Sequence, residues 1–383
     1  MKGRFGRGAQ AILAVVLPLC LALSAGHASA GHVGCGDTIT ADTTLDSDLI
    51  DCPNNGVLIG ADDITLDLNG HVIDGDGTPA AGCDPDTEFC DAGVVNDGHD
   101  GVTVMHGSVR EFEDGMLILR TRQNRVLGVS SSTNQFSGIL LDHCARCLVR
   151  KSSGSGSITP EGGTGIYLFA SHDVRILESS FRDNGDRGMG IYDSAHNLIK
   201  GSLSRGNFSL GIFFKRSDRN QVRRNRSVRD PFGIVVDNGN RNVIARNRSF
   251  KDGRGVGIDK GRGNVVARNV VTRARKEGIY LGVFGGGNNT VRRNRVTGSG
   301  GSGFRVNKED HHSLLKRNRA RHSKDDGFLI ETRTTKLTDN RAVRNRHLGI
   351  DAVAGVIDGG GNVARHNGNP RQCTHVRCHV TRR

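Results

Sequence analysis

A short phrase built around two asparagines returns along much of this chain at intervals of about 22 residues. NVIARN begins at residue 242 and NVVARN begins at residue 264. Aligned on its second asparagine, the phrase gives Asn225, Asn247, Asn269, Asn294, Asn318, Asn340 and Asn367. A glycine followed by an apolar residue recurs in parallel, at Gly93, Gly115, Gly138, Gly165, Gly190, Gly211, Gly233, Gly257, Gly278, Gly303, Gly327 and Gly349. Such a period is typical of a solenoid, in which each repeat forms one coil.

The apolar segments show which solenoid this is. They are short and suit strands, as in Ile234-Val235-Val236, and they lack the 3.6-residue period of helical repeats. Three short strands joined by bends use about 22 residues, which is one coil of a parallel β-helix. Coils stack about 4.8 Å apart, so the repeated asparagines can bond amide to amide and the apolar residues can form one core. We therefore predict an all-β fold, a single-stranded right-handed parallel β-helix of about 12–13 coils, with disulfide-tied end caps.

The ends of the chain depart from the repeat. Residues 1–30 combine a basic start, an apolar stretch and an Ala-Ser-Ala site, which predicts an export signal and no membrane span. A lipid-modified Cys20 is the minor alternative, because the residues before it fit that motif poorly. We assign 31–56 to an N-terminal cap, 57–352 to the solenoid with an insertion at 75–91, and 353–383 to a C-terminal cap.

The remaining eight cysteines fall into local pairs, which in an exported chain predicts disulfides. The pairs are Cys35/Cys52, Cys83/Cys90, Cys144/Cys147 and Cys373/Cys378. A redox role for Cys144/Cys147 and a metal or haem role for Cys373/Cys378 are the less favoured alternatives, because their surroundings lack the matching patterns.

These repeats resemble the right-handed parallel β-helix repeat proteins, including the NosD-type periplasmic group. The phrase ADDITLDLNGHVIDGDG at 61–77 is similar to the first coil of the wider pectate-lyase-like superfamily. The resemblance covers about residues 35–378 and implies the fold, whereas the superfamily includes lyases, hydrolases, epimerases and adhesins. Asp325-Asp326-Gly327 is the one partial match to a polygalacturonase-type motif, and the epimerase-type Asp-Pro-His-Glu motif is absent. Copper delivery, which the NosD type implies, is disfavoured because histidines are scattered and methionine is rare.

Charge divides the exported part of the chain. Residues 31–150 carry 20 acidic and 6 basic residues, a net charge of −14, whereas residues 151–383 carry 20 acidic and 44 basic residues, a net charge of +24. Much of the basic charge lies in Arg-Asn-Arg triplets at 224–226, 246–248, 293–295, 317–319 and 344–346. Stacked in register, they predict arginine stripes that can hold a polyanion, with solvation of the surface as the plain alternative. Nucleic acid is not expected, because the chain is exported and aromatic residues are sparse.

The residue next to each inward apolar residue should point outward, and this position is rich in aromatic residues. We predict one outward column of Leu140, Tyr167, Tyr192, Phe213, Val235, Asp259, Tyr280, Arg305, Leu329 and Asp351. Its aromatic residues, with Lys276 and Glu277 beside them, predict a sugar-binding groove containing Tyr167, Tyr192 and Phe213. Aromatic residues that merely suit strands under a loop are the alternative.

Candidate catalytic residues lie in and beside this column. Asp259 and Asp351 can act as acid or base, while Tyr280 and Arg305 can together abstract a proton from a uronic acid and neutralise its carboxylate. For hydrolysis, Asp326 and Glu277 are the candidate carboxyl pair.

The insertion suggests a separate metal site. Asp84, Asp86, Glu88 and Asp91 form a dense group of oxygen ligands that suits Ca²⁺, with a solvated acidic loop as the alternative. The sequence thus predicts an exported protein that binds, and in the enzymatic case cleaves or modifies, an anionic polysaccharide as a lyase, epimerase or hydrolase. A non-catalytic surface- or matrix-binding solenoid, or a NosD-like periplasmic one, is the alternative function.

Overall fold

The computed structural model describes residues 32–80, 82–83, 89–159 and 162–379. Within these residues every regular element is a β-strand, and every strand pairing is parallel. Each regular coil contributes one strand to each of three faces. The export signal predicted at 1–30 and the predicted metal ligands Asp84, Asp86 and Glu88 lie outside the described residues.

Face 1 is a parallel sheet of 14 strands in chain order. Its strands are Asp37–Ile39, Val57–Ile59, Ala92–Asp97, Asp114–Leu119, Ser137–Asp142, Thr164–Phe169, Arg187–Tyr192, Leu210–Lys215, Phe232–Asp237, Arg254–Asp259, Ile279–Leu281, Phe304–Val306, Phe328–Ile330 and Ile350–Ala352. The number exceeds the predicted 12–13 coils because residues 31–56, predicted as a cap, contribute Asp37–Ile39, which pairs with Val57–Ile59.

Faces 2 and 3 follow face 1 in each coil and are separated by a tight bend. Face 2 consists of Thr43–Thr44, Thr65–Asp67, Leu148–Arg150, Arg175–Leu177, Leu198–Lys200, Gln221–Arg223, Val243–Ala245, Val265–Ala267, Thr290–Arg292, Leu314–Lys316, Lys336–Thr338 and Ile357–Asp358. Face 3 consists of Leu49–Cys52, Val72–Gly75, Ser153–Ser155, Ser180–Arg182, Leu203–Arg205, Arg226–Val228, Arg248–Phe250, Val270–Thr272, Arg295–Thr297, Arg319–Arg321, Arg341–Val343, Asn362–Arg365 and Cys378–His379. Thr103–Arg110 and Arg125–Ser132 run through both faces, and Gly286–Gly287 pairs with Asp310–His311 separately.

The core is a continuous apolar column inside the coils. Its face 1 members are Ile139, Ile166, Met189, Ile212, Ile234, Val256, Ile279, Phe304, Phe328 and Ile350, each at most 1% exposed. A glycine precedes each of them because the coils approach closely there. A Cβ on Gly233, for example, would lie 2.5 Å from the carbonyl oxygen of Gly255 in the next coil. The repeated glycine and apolar residue therefore have a packing cause.

This register corrects two of the predicted glycine markers. Met189 pairs with Ile166 and Val256 pairs with Ile234, so Gly188 and Gly255 hold the marker position. The sequence pattern predicts this position at Gly190 and Gly257, two residues later. Both sites contain two glycines that each precede an apolar residue. The two glycines are two residues apart, and side-chain direction in a strand repeats every two residues. The sequence pattern alone therefore fits either frame.

The predicted asparagine ladder is confirmed from Asn225 to Asn340. Along it, each backbone N–H donates to the side-chain oxygen of the asparagine one coil later, at 2.9–3.0 Å. The next member is Asn362, so the assignment of Asn367 was wrong. Asn367 accepts from Asn345 in another ladder, at the bend between faces 3 and 1. The triplet at 344–346 therefore belongs to that bend.

All four predicted disulfides are present, linking Cys35 to Cys52, Cys83 to Cys90, Cys144 to Cys147 and Cys373 to Cys378. They indicate an oxidising compartment. The described residues contain no helical segment that could span a membrane.

Candidate functional site

Two columns of outward side chains run along the middle and the end of the face 1 strands. The middle column is Leu140, Tyr167, Gly190, Phe213, Val235, Gly257, Tyr280, Arg305, Leu329 and Asp351. The end column is Asp142, Phe169, Tyr192, Lys215, Asp237 and Asp259. The prediction of one column was therefore wrong for Tyr192 and Asp259, because their markers were placed two residues too late. Both side chains nevertheless reach the middle column.

The predicted aromatic row is real over three coils. The rings of Tyr167 and Tyr192 stack with centroids 4.9 Å apart, and Tyr192 meets Phe213 edge-on at 5.7 Å. Tyr192 can lean across because Gly190 leaves the middle column empty, as a Cβ there would lie 3.0 Å from its ring. The guanidinium of Arg187 lies 5.5 Å and 5.6 Å from the ring centroids of Tyr192 and Phe213. The row is thus a continuous, half-buried aromatic surface.

A cleft of about 270 Å³ opens at the end of this row. Its lining includes Phe213, Asp237, Arg254, Asp259, Tyr280 and Phe284. Phe284 lies in the glycine-rich loop that follows the strand Ile279–Leu281 and is 68% exposed. The cleft therefore combines aromatic walls with two carboxylates and one guanidinium, as ligand sites commonly do.

Asp259 is the most perturbed acid of the cleft. It is 7% exposed, and the N–H of Val283 donates a 2.8 Å hydrogen bond to its Oδ1. Burial raises its pKa to about 6, and the nearby Asp237 charge adds to this, while the Val283 hydrogen bond and Arg254 oppose it. Asp237 pairs in register with Asp259, and its Oδ1 is buried without a hydrogen-bond partner among the described residues. One site thus holds two carboxyls about one coil spacing, 4.8 Å, apart at their backbones.

Tyr280 forms the inner wall. It is 2% exposed, and its ring lies over Gly257, where a Cβ would be 2.0 Å from its Cζ. Burial and then the charge of Asp259 raise its phenol pKa above the ordinary value. The hydroxyl therefore keeps its proton at neutral pH, which suits a hydrogen-bond donor better than the predicted role as a base.

The other charged candidates form a chain of ion pairs beside the cleft. Arg254 contacts Glu277 at 2.7 Å, Glu277 contacts Arg305 at 3.4 Å, and Arg305 contacts Glu331 at 3.0 Å. Burial opposes ionisation of Glu277, but the hydrogen bond from Arg254 and the charges of Arg254 and Arg305 leave its pKa below the ordinary value. Arg305 and Glu277 thus neutralise each other's charge. Glu277 also holds Arg254, whose guanidinium carbon lies 5.2 Å from the centroid of the Tyr280 ring.

Asp326 and Asp351 lie farther along the axis. Asp351 is four coils from Asp259, about 19 Å at the usual spacing. Burial, followed by the charges of Asp325 and Asp351, raises the pKa of Asp326 to about 6, although the Leu348 N–H donates to it. The structure therefore does not bring these two aspartates to the cleft.

The remaining predicted residues have separate positions. Lys276 is exposed on the bend before Ile279–Leu281. Asp91 is buried and accepts a 2.6 Å hydrogen bond from the backbone N–H of Glu113, while burial raises its pKa. The Ca²⁺ site remains a prediction, because the other three ligands lie outside the described residues.

Sequence reasoning missed Lys215, Asp237, Arg254 and Phe284. A usable signal was present for Asp237, because IVVD at 234–237 and VGID at 256–259 are the same pattern 22 residues apart. Aligning coils on the aspartate would have shown the pair. Arg254 and Phe284 precede and follow the repeated motifs, so no column pointed to them.

The fit of Tyr280 over Gly257 gives a first testable result. Gly257→Ala should displace the ring and cost about 1–3 kcal/mol of unfolding free energy, because the wall is buried and overpacked. Gly190→Ala is the matched control, since its Cβ would meet the half-buried Tyr192 ring at 3.0 Å. Thermal unfolding with near-UV circular dichroism should show a clear loss only for Gly257→Ala. Equal melting of the two variants would contradict the described packing.

Comparison with solved structures shows the same fold in several proteins. A mutant of the periplasmic alginate epimerase AlgG superposes with a TM-score of 0.53 at 16% identity, covering 86% of this chain and 78% of that one. The bacteriophage Phi29 gene product 12 N-terminal fragment superposes with a TM-score of 0.60 at 11% identity, covering 91% and 67%. At these identities the likeness establishes the fold alone. No curated protein matches the sequence significantly.

The described residues do not fit a copper centre. Copper(I) selects thiolate, thioether and imidazole ligands. The eight cysteines among the described residues are in disulfides, Met116 and Met189 lie in the core, and Met105 is half-buried in the strand Thr103–Arg110. In the part of the chain that the structure describes, the one group of three or more His, Cys, Asp or Glu side chains with metal-ligand spacing is Asp325, Asp326 and His347, which offers a single imidazole.

A family model settles the relationship of the whole solenoid. The model described as "Periplasmic copper-binding protein (NosD)" matches residues 56–270 and 230–358, well over half of the chain. The matched residues run from the second strand of face 1 to beyond the last. With its parallel three-faced coils and asparagine ladders, the chain belongs to the NosD family of right-handed parallel β-helix proteins.

Proposed function

We propose that this protein binds an anionic polysaccharide along face 1 and cleaves or modifies it at the Asp259 cleft. The end column carries this proposal. It presents Phe169, Tyr192, Lys215, Asp237 and Asp259 in five successive coils. Two aromatic residues, one cation and two acids thus follow one another along the axis, a sequence of groups that suits sugar stacking, carboxylate binding and acid–base chemistry in turn.

The two carboxyls support a reaction at a sugar ring. Retaining glycosidases hold their two carboxyls about 5–5.5 Å apart, close to the spacing of neighbouring coils. Asp259, with a pKa of about 6, keeps a proton in part of the population near neutral pH and can protonate a leaving oxygen. Asp237, with one buried oxygen that has no partner among the described residues, is the second carboxylate. Tyr280 can donate a hydrogen bond from the wall.

Charge favours an acidic polymer. Lys215 lies in register between Tyr192 and Asp237, and no acidic side chain among the described residues forms an ion pair with it. The net charge of +24 over residues 151–383 adds a long-range attraction for polyanions. Disulfides and membership of a family described as periplasmic support export to the periplasm or beyond. The fold is also one that an alginate epimerase uses.

Lys215→Gln tests the carboxylate subsite. It should raise KM for a uronate polymer about three- to tenfold, because a partly exposed charge contact contributes about 1 kcal/mol. kcat should change little, since Lys215 neither gives nor takes a proton. Lys324→Gln, an exposed lysine on the bend before Phe328–Ile330 and outside both grooves, is the charge-matched control. Equal effects of the two substitutions would show that only overall charge matters.

A panel of uronate, sulfated and neutral polysaccharides tests the reaction itself. Reducing ends report hydrolysis, ultraviolet absorbance of unsaturated ends reports elimination, and deuterium uptake at C5 reports epimerisation. We expect one of these signals with a uronate polymer. Saturable binding without any turnover would leave the non-catalytic solenoid as the function, and no binding to face 1 would reject the proposal.

A further inference from the structure

A second groove runs along face 2, away from the Asp259 cleft. It has a volume of about 490 Å³. Its floor is formed by Val243, Ala245, Val265 and Ala267, which are small. Its basic lining consists of Lys200, Arg223, Arg224, Arg246, Arg268 and Arg292. A smaller cleft of about 260 Å³ between Arg292, Arg293, Lys316 and Arg317 continues it along the axis.

The groove has a simple cause in the register. One outward column of face 2 reads Lys200, Arg223, Ala245, Ala267, Arg292 and Lys316. The two alanines make a gap between long basic side chains that are three coils apart, about 14 Å at the usual spacing. The gap is thus a trough with a cationic group at each end.

The bend beside the trough adds a row of arginines that the backbone does not require. Arg224, Arg246, Arg268, Arg293 and Arg317 all have φ between 56° and 59°. This left-handed region favours glycine or asparagine and costs a bulky residue about 1–2 kcal/mol. Glycine holds the position before the row, as Gly201, and aspartate holds the position after it, as Asp339. Arginine in five successive coils concentrates positive charge along this bend.

Arg317, the last arginine of the row, pairs with Asp339 at 3.4 Å, whereas the basic residues that line the groove have no acidic counterpart among the described residues. The groove lining contains no aspartate or glutamate. Among residues 32–80, 82–83, 89–159 and 162–379, no ion pair involves Lys200, Arg223, Arg224, Arg246, Arg268 or Arg292. By contrast, Arg254 and Arg305 on face 1 are both paired. The groove lining therefore lacks a counter-charge, which an external anion with several charges would supply.

We propose that the face 2 groove binds a linear acidic polysaccharide lying parallel to the solenoid axis. The guanidinium forks match carboxylate or sulfate groups, and the shallow apolar floor fits the faces of sugar rings. Single-stranded nucleic acid fits less well, because no aromatic side chain lines the groove to stack on bases. The groove shares no lining residue with the Asp259 cleft, so the inference does not depend on catalysis there.

The test measures binding of a uronate oligosaccharide by calorimetry, using Asp259→Asn protein so that turnover is too slow to interfere. Arg246→Gln/Arg268→Gln should weaken one class of sites about tenfold and reduce its salt dependence. Ala245→Phe, which fills the trough without changing charge, should weaken the same sites. Arg226→Gln/Arg248→Gln is the matched control, because these exposed arginines lie on face 3 beside the same bends. Lys215→Gln should leave this class unchanged, which separates it from the face 1 site.

Three outcomes would overturn the proposal. Equal weakening by the two double variants would show attraction to net charge without a site. Unchanged binding in Ala245→Phe together with Arg246→Gln/Arg268→Gln would show that the oligosaccharide binds elsewhere. Tighter binding of a single-stranded DNA oligonucleotide at the same ionic strength would identify a nucleic-acid groove.

Discussion

Asp259→Asn is expected to lower turnover of the substrate polymer about 10²- to 10⁴-fold, the usual contribution of a positioned acid or base. The amide keeps the shape and can still accept the hydrogen bond from Val283, so binding should persist. Activity of the parent should fall as pH rises through about 6, because the protonated form of Asp259 is the acid. Any residual activity of the variant should not show this fall in kcat/KM as pH rises through about 6.

Stability gives an independent readout of the same group. The pKa of Asp259 rises from an ordinary value near 4 to about 6 on folding, so the native state binds extra protons between these pH values. Its contribution to stability is therefore present below about pH 4 and is lost as pH rises through 6. Asp259→Asn should accordingly be more stable than the parent at pH 7, by about 2–3 kcal/mol. An aspartate whose ionised form the fold stabilises, and whose pKa is therefore lowered, would give the opposite sign.

Asp142→Asn is the control for both effects. Asp142 lies in the same end column as Asp237 and Asp259, four coils before Asp237 and outside the cleft. Asp142→Asn should change neither turnover nor the fall in kcat/KM as pH rises through about 6. If both asparagine variants lost activity equally, the column as a whole would be needed and the cleft would have no special role.

Asn247→Leu is expected to cost about 3–5 kcal/mol of unfolding free energy. The buried Asn247 side chain accepts from the backbone N–H of Asn225 at 2.9 Å, and it donates to the carbonyl of Val222 at 2.9 Å and to the side chain of Asn269 at 3.1 Å. Leucine would leave these buried groups without partners, each at about 1–3 kcal/mol. Denaturant unfolding followed by circular dichroism measures the loss.

Asn247→Ser separates the ladder from simple packing. The Ser202 hydroxyl accepts the backbone N–H of Ser179 at 3.2 Å in an earlier part of the same column. Serine should therefore retain part of the stability that leucine removes. Equal losses in the two variants, or melting of Asn247→Leu with the parent, would contradict the ladder.

The fold could be predicted because its causes repeat. Each coil needs a glycine where backbones nearly touch, an apolar residue in the core and an asparagine at the bend, so sequence period and structure coincide. The frame could not always be predicted. The bends on either side of face 3 are five residues apart, as Asn340 and Asn345 show, so the same phrase fits both. Asn367 was misplaced for that reason.

The site was predictable only in part, because it depends on side chains that cross between columns. Tyr192 and Tyr280 lie over Gly190 and Gly257, which have no side chain. An alignment by residue spacing does not show that a neighbouring side chain fills this space. Asp259 was identified from its charge, whereas its partner Asp237 required the register. The loop that carries Phe284 follows no repeat, so only the folded chain shows that it covers the cleft.

The most direct test of the account is the structure of the Asp259→Asn protein with a uronate oligosaccharide bound. We expect a sugar ring in the cleft, with its carboxylate at Lys215 and a glycosidic or C5 position within hydrogen-bond reach of residue 259, and neighbouring rings over Tyr192 and Phe213. An oligosaccharide bound only outside face 1, with the cleft empty, would contradict the assignment of this cleft as the site of reaction.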